Sequence, residues 1–461
     1  MLPVAVFAAF FWPGIAMYDT VDQYGQVLSN RVDDWHPPVM VRLWQALTLL
    51  GSGTAPMFVL QVGLYALGFG LIVAALVENG RKLAALAAAA WSLSPLLLGW
   101  QMVVLKDAQM LGALVAALGI LAHYRLNGRS VPLGAAIIVG LLAAYATLVR
   151  ANAVFATIPL AVVLLPRPGA LGAKALAGLV AIAILLGVTP WIDRHVFGAR
   201  PSSVASSQPL FDLAAIASEI PGSVAPFTTA ERAQIVRRHC VKAFFWDPVS
   251  DPEACGPITR RAKALPQSEL YMDLARAAAA HPLAYLEHRL KHWNSTERWL
   301  IPPGRIDAAP PDEAEPNNLS LETPPSPVVP MWQDLAGWEE RTPLGWPIFW
   351  TTLSLLLLPV AFRRRGEPAG GIAFALLVSA LALEASFLFI SIASDLRYHT
   401  WPMTAAALGL IFLGADELLT RRAWLISGAV IVAVAAGGVM TRSSLPVAPS
   451  SYEAMLHAAA G

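Results

Sequence analysis

The amino-acid sequence predicts an all-α polytopic membrane protein with about 11 transmembrane helices and a large outer loop domain between helices 7 and 8. Of its 461 residues, 56% are hydrophobic and 14% are charged, whereas a soluble globular protein carries roughly 25% charge. Apolar runs recur along the chain, many of them close to the length of about 20 residues that a membrane-spanning helix needs. Lipid is therefore predicted to be the main solvent of this chain.

The apolar runs define the predicted helices in chain order. They cover approximately residues 1–17, 55–77, 83–100, 108–124, 131–149, 153–165, 172–190, 346–362, 369–391, 400–415 and 423–440. The first run lacks the basic start and the small-residue cleavage site of a signal peptide, so it is either part of a longer helix or a short tilted one. The predicted division is an N-terminal transmembrane module (1–190), an outer loop domain (191–345) and a C-terminal transmembrane module with an outer tail (346–461).

Basic residues predict which side of the membrane is cytoplasmic. They follow the even-numbered helices, and the positive-inside rule assigns those loops to the cytoplasm. These residues are Arg81, Lys82, Arg125, Arg129, Arg167, Lys174, Arg363, Arg364, Arg365, Arg421 and Arg422. The prediction is a multi-pass plasma membrane protein, in bacteria an inner membrane protein. Its N-terminus is cytoplasmic and its polar loops face the periplasm or the extracytoplasmic space.

The outer segment 191–345 combines a helical part with an extended one. Leucines at helical spacing between residues 205 and 300 predict helices, and the stretch from Ile301 to Val329, rich in Pro, Asp, Glu and Asn, predicts an extended loop. Cys240 and Cys255 are the two cysteines of the chain, and both lie in this segment. An oxidising compartment permits a disulfide between them; the alternative is two separate buried thiols.

The first outer loop, 17–54, carries acids and a histidine beside the first apolar run. Ionisable residues near membrane depth are costly and are functional candidates for that reason. Asp19 and Asp22 share one face if the chain continues as a helix, and a carboxylate there is a candidate general base. His36 precedes a Pro-Pro pair that fixes an extended entry to the next helix. The neighbouring acids Asp33 and Asp34 are interpreted as structural.

Three cations with polar neighbours occupy the other predicted outer loops. Lysine and arginine on that face run against the positive-inside trend, and both recognise phosphate and similar anions. The residues are Lys106 beside Asp107, Arg150 near Asn152, and Arg397 beside Tyr398. Together they predict an anionic headgroup as ligand, although each cation alone could be an interfacial residue.

Charge and spacing limit the other partners. A net charge of +1 with no basic patch excludes nucleic acid as a partner, and membrane lipids surround the helices. No cofactor is predicted with certainty. Whether the protein binds a divalent metal ion stays open, because the spacing of its Asp and His residues fits no diagnostic ligand pattern.

Five short motifs resemble the GT-C superfamily of membrane glycosyltransferases, best the group containing protein O-mannosyltransferases and lipid A aminoarabinose transferases. The motifs are "YDTVDQYGQVL", "DWHPPVMVRLW", "LKDAQ", "LVRANAVFATIP" and "DLRYHTWPM". The resemblance extends over the whole topology in outline, whereas individual residues match the family only within these motifs. It implies transfer of a sugar from a polyprenyl-phosphate donor to an acceptor hydroxyl of a glycan, lipid or protein.

The resemblance also implies roles for individual residues. Asp19 would be the general base of an inverting single displacement, with Asp22 as its rival because Thr20 stands where the family often has a second acid. Stabilisation of the departing phosphate would come from His36, Lys106, Arg150 and Arg397. Asp107, Asn152 and Tyr398 would support them. His36 stands where the family has a lysine, so the phosphate would depend more on the other cations.

Two other kinds of protein compete with the glycosyltransferase interpretation. A transporter or flippase for a lipid-linked sugar would also need outer cations, but transporters tend to have internal repeats, and none is evident. Glu384 is a charged residue inside a predicted span, where it pairs within the bundle or marks a polar channel. An O-antigen ligase or polymerase would also join sugars from lipid carriers on the outer face.

Overall fold

The structure is a computed structural model that describes residues 2–164, 170–305, 308–415, 418–449 and 451–458. Helices dominate these ranges, and apart from four isolated bridges no strand occurs within them. Arg167, one of the predicted cytoplasmic cations, lies outside the described residues.

The helices of the first part of the chain come in three groups. Before the first long helix lie α1 (Leu2–Phe10), α2 (Tyr18–Ser29) and α3 (Pro38–Leu47), which continues as the 3-10 turn Thr48–Leu50. Then follow α4 (Ala55–Glu78), α5 (Lys82–Trp91), α6 (Pro95–Gln101) and α7 (Lys106–Leu126). The last group is α8 (Leu133–Val149), the 3-10 turn Ala151–Ala153, α9 (Val154–Leu164) and α10 (Leu171–His195).

The remaining helices belong to the long connecting segment and to the C-terminal part. The connecting segment contains the 3-10 turns Val204–Ser206 and Pro343–Gly345, and α11 (Ser207–Glu219), α12 (Thr229–Arg237), α13 (Asp247–Ser250), α14 (Gly256–Lys263), α15 (Gln267–Ala280), α16 (Pro282–Thr296) and α17 (Val328–Arg341). The C-terminal part contains α18 (Pro347–Arg363), α19 (Pro368–Ile390), the 3-10 turn Leu396–His399, α20 (Thr400–Ala415), α21 (Arg421–Ser444) and α22 (Tyr452–His457).

Five of the described helices are long and apolar enough to cross a membrane: α4, α7, α10, α19 and α21. The pair α5 and α6, bent by 56°, gives a sixth if it is one broken span. Shorter apolar helices include α8 and α18. This composition is consistent with a polytopic membrane protein, and the total of about 11 spans stays a prediction.

The first predicted span is much shorter in the structure. Helix α1 ends at Phe10, because Pro13 follows within one turn and Gly14 takes a φ of +100°, which favours glycine. Ile15 then pairs with the α6–α7 connection: its N–H donates to the carbonyl of Met102 at 3.1 Å, and its carbonyl accepts from Val104 at 2.9 Å. The first outer loop is thereby held beside the N-terminus of α7.

Helices α4 and α7 form the closest helix contact near the site. A Cβ atom added at Gly68 would collide with the backbone of Val115, and one added at Gly119 would collide with the backbone of Gly68. The two backbones therefore touch without intervening side chains, as small residues allow between membrane helices. This contact fixes α7, whose first residues are Lys106 and Asp107.

Helices α11 to α15 build a separate apolar core that includes Phe211, Ile216 and Leu270. The disulfide Cys240–Cys255, with its Cα atoms 5.8 Å apart, joins two connections within this core. Arg289 of α16 ties the core to the segment before Arg397, because it donates to the carbonyl of Ser391 at 2.7 Å. The outer helices thus brace a segment that leads into the candidate site.

Candidate active site

Segments from four parts of the chain meet in one cluster of charges. Asp19 comes from α2, Lys106 and Asp107 from the N-terminus of α7, Arg150 from the turn after α8, and Arg397 from the 3-10 turn before α20. Ion pairs join all five side chains. The structure therefore brings together residues that the sequence analysis proposed from separate loops.

A short polar contact places α2 in this cluster. Thr20 Oγ1 accepts from the backbone N–H of Met17 at 3.0 Å, which closes the first turn of α2. The same hydroxyl donates to the carbonyl of Val104 at 2.6 Å. Because Val104 precedes Lys106 by two residues, this bond presents one face of α2 to the N-terminus of α7.

Asp19 is held between two cations. Its Oδ2 lies 3.1 Å from Lys106 Nζ and 3.3 Å from Arg397 Nη2. Burial opposes ionisation of this carboxyl group, but the positive charges of Lys106 and Arg397 hold its pKa well below the usual value. Asp19 is therefore a carboxylate at neutral pH and a weak proton acceptor in this arrangement.

Asp107 and Asp395 complete the pairing of the arginines. Asp107 Oδ1 lies 2.5 Å from Arg150 Nη1, and its Oδ2 lies 3.6 Å from Arg397 Nε. Asp395 Oδ2 lies 2.8 Å from Arg397 Nη2. The cluster therefore balances three cations with three carboxylates.

Asp395 was not among the predicted site residues. It is the first residue of the motif "DLRYHTWPM" and precedes Arg397 by two residues, and this spacing is the signal in the sequence that points to it. Asp395 forms an ion pair with Arg397, as Asp107 does with Arg150.

Tyr398 and Asn152 orient the arginines. The guanidinium carbon of Arg150 lies 4.0 Å from the centre of the Tyr398 ring, and that of Arg397 lies 5.5 Å from it. Such contacts are favourable cation–π geometry. Arg150 Nε also donates to Asn152 Oδ1 at 2.9 Å, so the guanidinium group of Arg150 is held both by Asn152 and by the Tyr398 ring.

His36 connects the cluster to Asp22. Lys106 Nζ lies 3.0 Å from His36 Nδ1, and His36 Nε2 lies 3.6 Å from Asp22 Oδ2. Burial, with the positive charge of Lys106, lowers the pKa of His36 to about 3. The imidazole is therefore neutral at physiological pH, accepts from Lys106 at Nδ1, and carries its proton at Nε2, toward Asp22.

Asp22 differs from Asp19 in its surroundings. Its side chain is 44% exposed, against 14% for Asp19, and it accepts a hydrogen bond from Gln26 Nε2 at 2.9 Å. Burial, together with the negative charges of Asp33 and Asp19, raises its pKa. Asp22 is thus the more basic and the more accessible of the two carboxylates.

The outer acids Asp33 and Asp34 lie apart from the cluster. Asp34 Oδ1 accepts from both the backbone N–H and the hydroxyl of Ser202 at 2.6 Å, and Asp33 Oδ1 accepts from the N–H of Trp35 at 3.0 Å. Within the described ranges, no three His, Cys, Asp or Glu side chains are arranged to hold a metal ion.

Glu384, the charged residue of α19, pairs inside the bundle. Its carboxylate oxygens both lie 2.9 Å from His399 Nδ1. Because His399 follows Arg397 by two residues, this contact anchors the turn that supplies Arg397 and Tyr398.

The described part of the chain is helical and consistent with a polytopic membrane protein, and it holds a buried, charge-balanced cluster in the loops between its helices. The sequence matches no protein-family model and no curated protein. Among solved structures, the chain is similar to the archaeal oligosaccharyltransferase AglB from Archaeoglobus fulgidus in complex with an inhibitory peptide and a dolichol-phosphate. The TM-score is 0.34 and the identity 14%, over 97% of this chain and 56% of that chain. The chain thus spans just over half the length of AglB.

Proposed function

We propose that this protein is a membrane glycosyltransferase that moves a sugar from a polyprenyl-phosphate donor to an acceptor hydroxyl on the outer face of the membrane. The observation that supports this best is the convergence of Lys106, Arg150 and Arg397 in one cluster. A phosphate that enters the cluster can exchange places with their carboxylate partners. Three cations that act together suit a phosphate leaving group.

The reaction is one displacement at the anomeric carbon. The acceptor oxygen forms a bond to the sugar C1 while the bond from C1 to the phosphate oxygen breaks. The electron pair of the broken bond stays on polyprenyl phosphate, and the hydroxyl proton passes to a carboxylate. Because the leaving group is already a stable anion, the reaction needs cations near the phosphate more than a general acid.

The geometry favours Asp22 as the proton acceptor in the arrangement described. Asp22 is accessible and has a raised pKa, whereas two ion pairs hold Asp19. Asp19 would regain basicity when a donor phosphate draws Lys106 and Arg397 away from it. Both carboxylates therefore stay in the proposal, Asp22 as the base and Asp19 as the group that holds the cations before the donor arrives.

The test uses membranes that contain the protein, a panel of undecaprenyl-phosphate hexoses and pentoses, and mass spectrometry of the released undecaprenyl phosphate and of envelope glycans. We expect Arg397→Gln to lower transfer by about 10²- to 10³-fold, the usual effect of removing one stabilising donor. Arg276→Gln is the matched control, because Arg276 is an exposed arginine that pairs with Asp273 on the same helix, α15.

The base is tested in the same assay. Asp22→Asn should lower transfer by about 10²- to 10⁴-fold, as loss of a general base does. Near-normal transfer by both Asp22→Asn and Asp19→Asn would contradict the mechanism. Movement of lipid-linked sugar across vesicle membranes without any acceptor, unaffected by Asp22→Asn, would instead identify a transporter.

A further inference from the structure

Gln23 of α2 is a fully buried glutamine whose amide is not used within the described protein. Neither its Nε2 nor its Oε1 has a hydrogen-bond partner among the described residues. A buried amide in that state destabilises the folded protein, because it has lost its hydrogen bonds to water and has gained none in return. Each such group in a folded protein calls for an explanation, and a role in binding or catalysis is one of them.

Other buried glutamines near the site show what the fold does elsewhere. Gln61, Gln101 and Gln109 are as buried as Gln23. The Nε2 group of each of the three donates two hydrogen bonds, at 2.7 to 3.2 Å. The Nε2 donors of these three amides are thus all satisfied, although Gln101 Oε1 has no partner among the described residues. Gln23 differs from them because neither end of its amide has a partner there.

Gln23 lies on the face of α2 that meets the cluster. It follows Asp19 by four residues, so the two side chains share one face of the helix, about 5–6 Å apart at their Cβ atoms. It also follows Thr20 by three residues, and the Thr20 hydroxyl fixes this face against Val104, just before Lys106. The unused amide is thus one helical turn from the carboxylate that holds Lys106 and Arg397.

We propose that Gln23 binds a hydroxyl group of the donor sugar. This inference rests on the proposed function, in which the cations next to Asp19 take the donor phosphate. The sugar is bonded directly to that phosphate, so its hydroxyls come within one helical turn of the cations. An amide offers one acceptor and two donor hydrogens, and a sugar hydroxyl both donates and accepts. The phosphate itself would call only for donors.

The cluster must open for this contact to form. A small cleft beside it, lined by residues that include Trp100, Leu105, Asp107 and Arg397, is too narrow to admit a water molecule. Exchange of Asp19 for phosphate frees Lys106 and Arg397 to move, and this separates α2 from α7 at the level of Gln23. The stability that the unused amide costs is recovered when the sugar binds.

The experiment measures thermal unfolding of the purified full chain in detergent, alone, with undecaprenyl phosphate, and with the panel of undecaprenyl-phosphate sugars. In the wild-type protein, undecaprenyl phosphate should raise the unfolding temperature, and one attached sugar should raise it further. Gln23→Leu should unfold at the same or a higher temperature without ligand, should keep the shift from undecaprenyl phosphate, and should lose the added shift from the sugar. Transfer should fall about tenfold, the value of one hydrogen bond of about 1.4 kcal/mol.

Gln109→Leu is the matched control. It removes an equally buried amide that is bonded to the carbonyl of Met57 and to Gln61, so it should lower the unfolding temperature and keep both ligand shifts. Increased stability together with lost sugar binding is a result that a merely structural glutamine would not give.

Three results would overturn the role of Gln23: destabilisation of Gln23→Leu as large as that of Gln109→Leu, loss of its shift with undecaprenyl phosphate alone, or an added sugar shift equal to that of the wild type. A panel that adds no shift to the wild type also counts against it. Failure of the proposed function gives a different result, namely no shift of the wild-type protein with undecaprenyl phosphate and no release from any donor, and it would remove this inference as well.

Discussion

The surroundings of His36 determine the charge of its side chain and therefore its proposed role at the phosphate. The resemblance places His36 among the groups that would stabilise the phosphate, although a histidine is cationic only near or below about pH 6.5. In the structure burial, with the positive charge of Lys106, lowers its pKa to about 3. We therefore revise its proposed role: His36 accepts a hydrogen bond from Lys106 and directs that ammonium group, and it leaves the phosphate to Lys106, Arg150 and Arg397.

This pKa predicts how stability depends on pH. Below about pH 6.5, the usual pKa of histidine, the unfolded chain binds a proton at His36 that the folded chain does not bind until about pH 3. The free energy of unfolding contributed by His36 is thus fully present above pH 6.5 and is lost as the pH falls toward 3. We expect His36→Gln to flatten the fall of the unfolding temperature between pH 6.5 and 4.

The control for that measurement is His239→Gln, which replaces an exposed histidine and should leave the slope unchanged. An equal slope for His36→Gln and the wild-type protein would show that the imidazole does not stay neutral on folding.

In the proposed reaction Asp19 competes with the donor for the same two cations, and this gives a second prediction at the residue scale. In Asp19→Asn, Lys106 and Arg397 lose the carboxylate at 3.1 and 3.3 Å, so a phosphate no longer has to displace it. We expect undecaprenyl phosphate to bind Asp19→Asn more tightly than the wild-type protein, by about tenfold, which corresponds to about 1.4 kcal/mol of competition removed. The measurement is binding of radiolabelled undecaprenyl phosphate in detergent. Lys106→Gln should bind it more weakly, and weaker binding by both variants would contradict competition.

Among the helices, the contact of α4 with α7 has the clearest consequence for the site. Gly68→Ala places a Cβ atom against the backbone of Val115, so the helices must separate and the N-terminus of α7 must shift. We expect a lower unfolding temperature together with reduced transfer, since Lys106 and Asp107 move with α7. A displacement of about 1 Å can lower catalysis about 100-fold.

Gly63→Ala supplies the comparison on the same helix. An added Cβ atom at Gly63 meets nothing within 4 Å, and alanine is intrinsically about 1 kcal/mol more favourable than glycine in a helix. Stability should stay the same or rise. If the two variants behaved alike in unfolding and transfer, the close approach of α4 and α7 would not position the site.

The helices could be predicted from the sequence because each depends on a local pattern. The apolar runs from residue 55 onward coincide with α4 to α10 and with α18 to α21, counting α5 and α6 as one run, and the all-helical prediction is confirmed for the described residues. The predicted end of the first helix was wrong, because the length of an apolar stretch does not show that the chain turns at Pro13 and Gly14. The pairing of Ile15 with Val103 depends on residues far apart in the sequence.

The residues of the charge cluster could be named from the sequence, but their pairings could not. Residue types and the alternation of loops were enough to nominate Asp19, Lys106, Arg150 and Arg397. Which carboxylate meets which cation depends on packing, so Asp395 was missed and the contact of His36 with Lys106 was not predicted. Gln23 gave no signal in the sequence, because a glutamine is unusual only when its burial and its lack of partners are known.

The molecule as a whole has two polar ends, and their orientation in the membrane is the last prediction. Helix α18 runs from Pro347, beside the long connecting segment, to Arg363, and three arginines follow one another at that end. The positive-inside rule assigns the arginine end to the cytoplasm. The charge cluster and the disulfide then face outward, where Cys240–Cys255 is stable to reduction and a lipid-linked sugar would be consumed.

The disulfide also makes this orientation easy to measure. Both native cysteines are bonded to each other, so a single introduced cysteine supplies the reactive thiol. Glu313→Cys and Arg364→Cys replace exposed residues at the two ends. A membrane-impermeant maleimide added to intact bacterial spheroplasts should label Glu313→Cys and should label Arg364→Cys only after the membrane is permeabilised. The reverse pattern would place the charge cluster in the cytoplasm, where the proposed reaction would have to use a donor on the inner leaflet.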